Sequence, residues 1–122
     1  MSHYEKNDLV KLYGAHLEKI SVIQPGVDLK LFKPMDKNFA RQSLGLSAEH
    51  IILFVGRIEV LKGIDILIEA FASLHHPSKR LLIVGGNPDK DNQITRLKEK
   101  AEKLGVVNQI DFIGTIPQDE LP

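Results

Sequence analysis

The chain has no cysteine, no excess charge of either sign and no long apolar run. Without cysteine there is no disulfide, no thiolate metal ligand and no cysteine nucleophile, a composition that suits a reducing cytoplasm. Sixteen Lys and Arg residues balance sixteen Asp and Glu residues. Nothing in that balance draws the whole molecule to nucleic acid or to an anionic membrane, so any anion site must be local. No stretch approaches a membrane span, and the first residues lack the core of a signal peptide. The expectation is a cytoplasmic protein, with peripheral attachment through another part of a longer chain left open. Repeats and low-complexity segments are also missing. What remains is 43% hydrophobic and 26% charged over 122 residues, an ordinary globular composition with room for one domain of modest size.

Apolar periodicity divides the chain. Leu9, Val10, Leu12 and Tyr13 predict a short helix over 5–13, stopped by Gly14. Ile20, Val22 and Ile23 predict a strand ended by Pro25-Gly26. Leu31-Phe32-Lys33-Pro34 is expected as an extended connector, because a residue before proline is pushed out of the helical region. A further short helix is expected over 36–44, with Gly45 as its stop. From residue 51 the pattern is regular: strand 51–55, helix 63–75, strand 80–84, helix 90–104 and strand 109–113. Leu81-Leu82-Ile83-Val84 shows no polar alternation, as expected of a parallel strand covered on both faces. The fold class is therefore α/β, a Rossmann-like βαβαβ parallel half of a three-layer, doubly wound domain, preceded by a helix–strand tail.

The stretch Val55-Gly56-Arg57-Ile58-Glu59-Val60-Leu61-Lys62-Gly63 joins the first of these strands to its helix. In an open α/β sheet, such a turn lies at the carboxyl end of the strand, where ligands bind. The helix that follows presents unpaired N–H groups and a partial positive charge. Arg57 offers a bidentate fork and Lys62 a compact charge, which together match a diphosphate better than a monophosphate. A Walker-type loop fails, because Lys62-Gly63-Ile64 carries no hydroxyl for magnesium. A dinucleotide fingerprint fails on glycine spacing, both at Gly56 and Gly63 and at Gly85-Gly86-Asn87-Pro88, which disfavours a dehydrogenase. The plainer reading of the same residues pairs Arg57 with Glu59 and leaves Lys62 in solvent. On chemistry alone the two readings stand level.

The larger pattern separates them. Val55-Gly56-Arg57-Ile58 followed by Lys62-Gly63-Ile64-Asp65-Ile66-Leu67-Ile68-Glu69-Ala70-Phe71 resembles the donor-binding domain of GT-B-fold glycosyltransferases. It is most similar to the retaining, family 4-type enzymes known as group 1 glycosyltransferases, which include sucrose-phosphate synthase-like proteins. Three more stretches agree in order and spacing. Val22-Ile23-Gln24-Pro25-Gly26-Val27-Asp28 with Phe32-Lys33-Pro34 resembles the passage from the N-terminal to the C-terminal domain. Leu81-Leu82-Ile83-Val84-Gly85-Gly86 resembles the second strand and its glycine turn. Ile110-Asp111-Phe112-Ile113-Gly114 resembles the third strand.

That resemblance implies an enzyme transferring a sugar, with retention, from a UDP-, GDP- or ADP-sugar to an acceptor that the sequence does not specify. By position, Arg57 and Lys62 would hold the donor diphosphate and neutralise the leaving group. Thr115, Ile116 and Gln118 would lie beside the base, although Pro117 removes one backbone donor there. The plainer reading of Ile116 is a loop residue covering the edge of the core. No metal or cofactor is expected, since the two cations could do the neutralising. Residues 1–33 would be the end of the N-terminal domain and the connector, and 34–122 part of the nucleotide-sugar-binding domain. The family's paired-glutamate segment would fall after residue 122, so the chain reads as a fragment of a larger enzyme, inactive alone, with the remainder of that enzyme as its partner. Self-association through the open sheet is a further expectation. The alternative from another class is a stand-alone nucleotide-binding or regulatory module without transferase activity.

Other polar residues carry less. His75-His76 suits the dipole at the end of the first regular helix, and His3, His16 and His50 lack ligand spacing. Asp65 favours a helix N-terminus, Asp28 a hinge or cap. Lys98, Glu99, Lys100, Glu102 and Lys103 read as a solvated helix face.

Overall fold

The computed structural model of the chain describes residues 2–47 and 50–122. The chain forms two compact units, Met1–Pro34 and Met35–Pro122.

The first unit is built on α1, His3–Tyr13. Ser2 caps it reciprocally: its hydroxyl accepts from the Glu5 N–H at 3.2 Å, and its own N–H donates to the Glu5 carboxylate. Donation to it from the Ser2 N–H foremost, and from the Ser2 hydroxyl, holds the Glu5 carboxyl below its ordinary range. Gly14, at φ 66°, ends the helix as predicted. The strand expected at Ile20, Val22 and Ile23 does not form. Residues Leu17–Lys19 make a 3-10 turn and 20–28 are irregular, because no described strand offers this segment a ladder. Instead the carbonyl of Ile20 accepts from the Lys6 ammonium at 2.6 Å. The extended connector is also corrected. Asp28 folds the chain into a turn, its carboxylate accepting from Lys30 N at 2.8 Å and its carbonyl from Phe32 N at 2.8 Å. The turn takes in Leu31 and Phe32, whereas Lys33, the residue that Pro34 restricts, lies past it.

The second unit begins with α2, Lys37–Ser43, capped by Asp36, whose carboxylate accepts from Phe39 N at 2.9 Å. Then come β1 (His50–Val55), α3 (Ile64–Ser73), β2 (Lys79–Val84), α4 (Asn92–Lys103) and β3 (Ile110–Gly114). The three strands are parallel in the order β1-β2-β3, with Ile52 opposite Leu81 and Leu81 opposite Ile110. The predicted βαβαβ unit is present, and its helices differ from expectation only by a residue or two at their ends.

Alternation along each strand decides what is buried. Ile52 and Phe54, Leu81 and Ile83, and Ile110 and Phe112 face the helices. There they meet Ile64, Ile68 and Phe71 of α3 and Ile94, Leu97 and Ala101 of α4 in one core. A clamp across the helices supports it, with Lys100 donating to Glu69 at 2.6 Å and lying 3.9 Å from Asp65. The lysine at position 100 therefore does more than solvate a helix face. On the opposite face, Leu82 and Val84 of the central strand are buried by their neighbours, while Leu53, Val55 and Ile113 are exposed. Arg80 and Asp111 pair there in a bidentate contact, at 2.7 and 2.9 Å. This unit thus supplies the sheet and one helical layer.

Lys79 closes α3. It is only 8% exposed. Its ammonium donates to the carbonyls of Phe71 and Leu74, both at 2.6 Å, and lies 4.5 Å from the centre of the Phe71 ring. The cation expected at this helix end from His75-His76 is thus supplied by Lys79, four residues further along than the sequence pattern suggests. Replacing it removes the buried donor shared by the Phe71 and Leu74 carbonyls, leaving Phe71 only its bond from Leu74 N. Lys79→Ala is expected to lower stability by about 1–3 kcal/mol in urea unfolding; a change too small to measure would contradict this role.

Candidate functional site

Each of the three strands runs into glycine at its carboxyl end: Gly56 after β1, Gly85-Gly86 after β2, and Gly114 closing β3. The backbones converge there. Gly56 N donates to the Val84 carbonyl at 3.0 Å, and Gly85 N to the Gly114 carbonyl at 2.7 Å. Gly85 has φ 137°, and a side-chain carbon on it would lie 1.9 Å from the Gly56 oxygen. No other residue fits. Lowering the backbone in this way leaves a shallow hollow of about 250 Å³ over the strand ends, lined by Val55, Gly56, Arg57, Val84, Gly85, Gly86, Thr115, Ile116 and Leu121.

The turn from β1 to α3 is held by its own hydrogen bonds. Val60–Lys62 form a 3-10 turn, with Lys62 N donating to the Glu59 carbonyl at 2.9 Å and Gly63 N to the Val60 carbonyl at 3.0 Å. Gly63 takes the left-handed conformation, at φ 63°, and stands as the N-cap of α3. It has no side chain to occupy the first N–H groups of the helix, so that positive end stays open to an acceptor from outside.

The candidate residues divide between two places. Arg57, Thr115 and Ile116 come together around the hollow. Lys62 lies exposed on the turn that leads into α3, outside that lining, and among the described residues it has no ion-pair partner. Gln118 is exposed in a 3-10 turn, Gln118–Glu120, and also lies outside the lining, where Leu121 contributes instead. Arg57, with a side chain 82% exposed, is paired: its Nη1 lies 2.9 Å from Glu59 Oε1. This is the pairing that the plainer reading of the arginine expects. Ile116 is half-buried and forms part of the wall.

Gly85, Gly86 and Leu121 are wall residues that side-chain chemistry does not single out. The glycine pair directly after an apolar strand is the sequence signal for two of them. Two larger hollows, of about 530 and 500 Å³, open at the other end of the strands, around the Arg80–Asp111 pair and around His50 and His76. Neither is floored by the glycines that end the strands. Among the described residues, no three His, Asp or Glu side chains converge as metal ligands.

A parallel sheet whose strands end in glycine under one hollow, with the β1-to-α3 turn starting from its edge at Arg57, defines a Rossmann-like nucleotide-fold half-domain. Comparison with known proteins makes the class specific. The family described as "Glycosyl transferases group 1" matches residues 36–122, and the chain belongs to that family. It is 38% identical to D-inositol 3-phosphate glycosyltransferase 2 of Catenulispora acidiphila over 96% of its own length and 29% of that relative's. Against the D-inositol 3-phosphate glycosyltransferase of Nocardia farcinica the identity is 41%, over 96% of the chain and 27% of the relative. Among solved structures, sucrose-phosphate synthase from Thermosynechococcus elongatus superimposes with a TM-score of 0.81 at 30% identity, covering 99% of this chain and 30% of that one. HepE of Anabaena, solved with UDP and glucose, gives 0.75 at 25% identity, over 95% and 32%. The chain thus spans under a third of the length of these relatives.

The glycine floor can be tested directly. Gly85→Ala is expected to cost at least about 2 kcal/mol in chemical unfolding, because the new carbon must displace backbone. An unchanged unfolding midpoint would contradict the close approach.

Proposed function

We propose that this chain is the donor-diphosphate-binding part of a retaining glycosyltransferase, with Arg57 and Lys62 as its cationic clamp. The observation that carries the reading is the turn itself: an arginine at the rim of the strand-end hollow, a lysine on the same turn, and an uncapped helix N-terminus between that lysine and the core. All three elements favour oxygen anions. Thr115 and Ile116, on the far wall, would meet the nucleotide base, with Gln118 joining them only if the 3-10 turn that carries it moves inward.

In this reading the parent enzyme breaks the bond between the sugar's anomeric carbon and the β-phosphate oxygen, and a hydroxyl oxygen of an unidentified acceptor bonds to that carbon with retention while its proton passes to the departing diphosphate. The departing diphosphate gains negative charge as that bond lengthens. Arg57, Lys62 and the α3 amides stabilise that charge where it develops, which lowers the barrier. A UDP-, GDP- or ADP-sugar is the donor class. UDP is favoured as a first probe because HepE was solved with it. We assign residues 1–33 to the end of the acceptor-binding domain and its connector, and 34–122 to the donor-binding domain. The division of the chain at Pro34 and the family match from residue 36 support that boundary.

The reaction needs groups from more of the enzyme than this chain spans, so the chain alone is expected to give no sugar transfer from UDP-glucose. Turnover would contradict that expectation. The clamp itself is tested by calorimetry with UDP. The double substitution Arg57→Ala with Lys62→Ala should weaken binding at least about a hundred-fold, as expected for loss of two charge-assisted contacts, with circular dichroism unchanged. Equal affinity would remove the central claim.

A further inference from the structure

The ion pair between Arg57 and Glu59 has a consequence for the clamp. The arginine's side chain is 82% exposed, whereas that of Glu59 is 38% exposed. Glu59 also lines a second, smaller hollow together with Ile58, Val60, Asp65, Arg96 and Leu97, so it is the less exposed partner of the pair. Its backbone is fixed within the turn, where the Glu59 carbonyl accepts from Lys62 N at 2.9 Å.

We propose that Glu59 is a placeholder for the donor diphosphate: its carboxylate holds Arg57 in the absence of ligand and must release it when phosphate oxygens arrive. This rests on the donor-diphosphate reading above. Carboxylate and phosphate oxygens both accept charge-assisted bonds from a guanidinium, so they compete for it, and the single Nη1-to-Oε1 contact of Glu59 leaves the fork unfilled. Glu59 thus has two effects. It keeps the arginine beside the hollow, and it lowers donor affinity by a modest factor, since an exposed pair is weak. The phosphate prevails because it carries more charge and is also met by Lys62 and the helix N-terminus. As the nucleoside diphosphate leaves after transfer, Glu59 re-forms the pair, which favours product release over retention.

The test is a double-mutant cycle read by UDP calorimetry on the whole chain. Glu59→Gln should tighten UDP binding roughly three- to five-fold at low salt, the upper size of an exposed pair. The gain should shrink at high salt and fall below about two-fold in the Arg57→Ala background. Weaker or unchanged binding by Glu59→Gln would overturn the proposal, as would an equal gain without Arg57. If those results came while Arg57→Ala with Lys62→Ala still abolished binding, only the placeholder would fall. If the unsubstituted chain bound no UDP, the donor site and the placeholder would fall together.

Discussion

The carbonyl oxygen of Gly56 occupies the space where a side chain on Gly85 would stand, 1.9 Å from its first carbon. That contact sets the depth of the strand ends, and the rest of the site follows from it. With a bulkier residue the backbones of β1 and β2 would separate, and the hydrogen bonds Gly56 N to Val84 and Gly85 N to Gly114 could not both persist. The core beneath fixes the same geometry from the other side. Ile58 and Ile64, on either side of the turn, are buried against Ile94 and Ile83, so the turn is anchored at both ends while its tip is free. A rigid floor and an anchored turn suit a site in which placement of charge matters more than flexibility.

Electrostatics in this chain is local. Sixteen basic and sixteen acidic residues cancel overall, and most of the basic side chains that make contacts are engaged in structure. Lys79 closes α3, Lys100 joins α3 to α4, and Arg80 ties β2 to β3 through Asp111. The Arg80 contact is strong enough to hold its guanidinium proton more tightly than usual, chiefly through the hydrogen bonds to Asp111. Arg57 and Lys62 differ in being highly exposed on the turn that borders the hollow. Their weak engagement leaves them available to an anion, and Glu59 occupies one of them until then.

The regular half of the chain was legible because its periodicity is strong. Ile52 and Phe54, Leu81 and Ile83, and the Ile94-Leu97-Ala101 stripe each announce a buried face. The first 34 residues were less legible for a physical reason. Ile20, Val22 and Ile23 have β-branched, strand-favouring side chains, yet a strand exists only with a partner, and sequence does not display the partner's absence. Asp28 likewise builds its turn through a side-chain hydrogen bond that spacing alone does not reveal. Lys79 was passed over because a lysine beginning a strand looks solvated; only the fold brings it under the end of α3. At the site, the turn and its two cations were visible, and so was the alternative pairing with Glu59. What sequence could not supply was the division of residues around the hollow, in which Arg57, Thr115 and Ile116 meet while Lys62 and Gln118 stand outside.

The claim that donor diphosphate binds at the glycine-floored ends of the strands is tested most directly by titrating the isotopically labelled chain with UDP and following its backbone amide resonances. The prediction is that the largest shifts fall on Gly56, Arg57, Gly63 to Asp65, and Gly85-Gly86, with smaller ones at Thr115 and Ile116. Shifts confined to the opposite end of the sheet, around Lys79, Arg80 and Gln109, or none at all at saturating UDP, would contradict it.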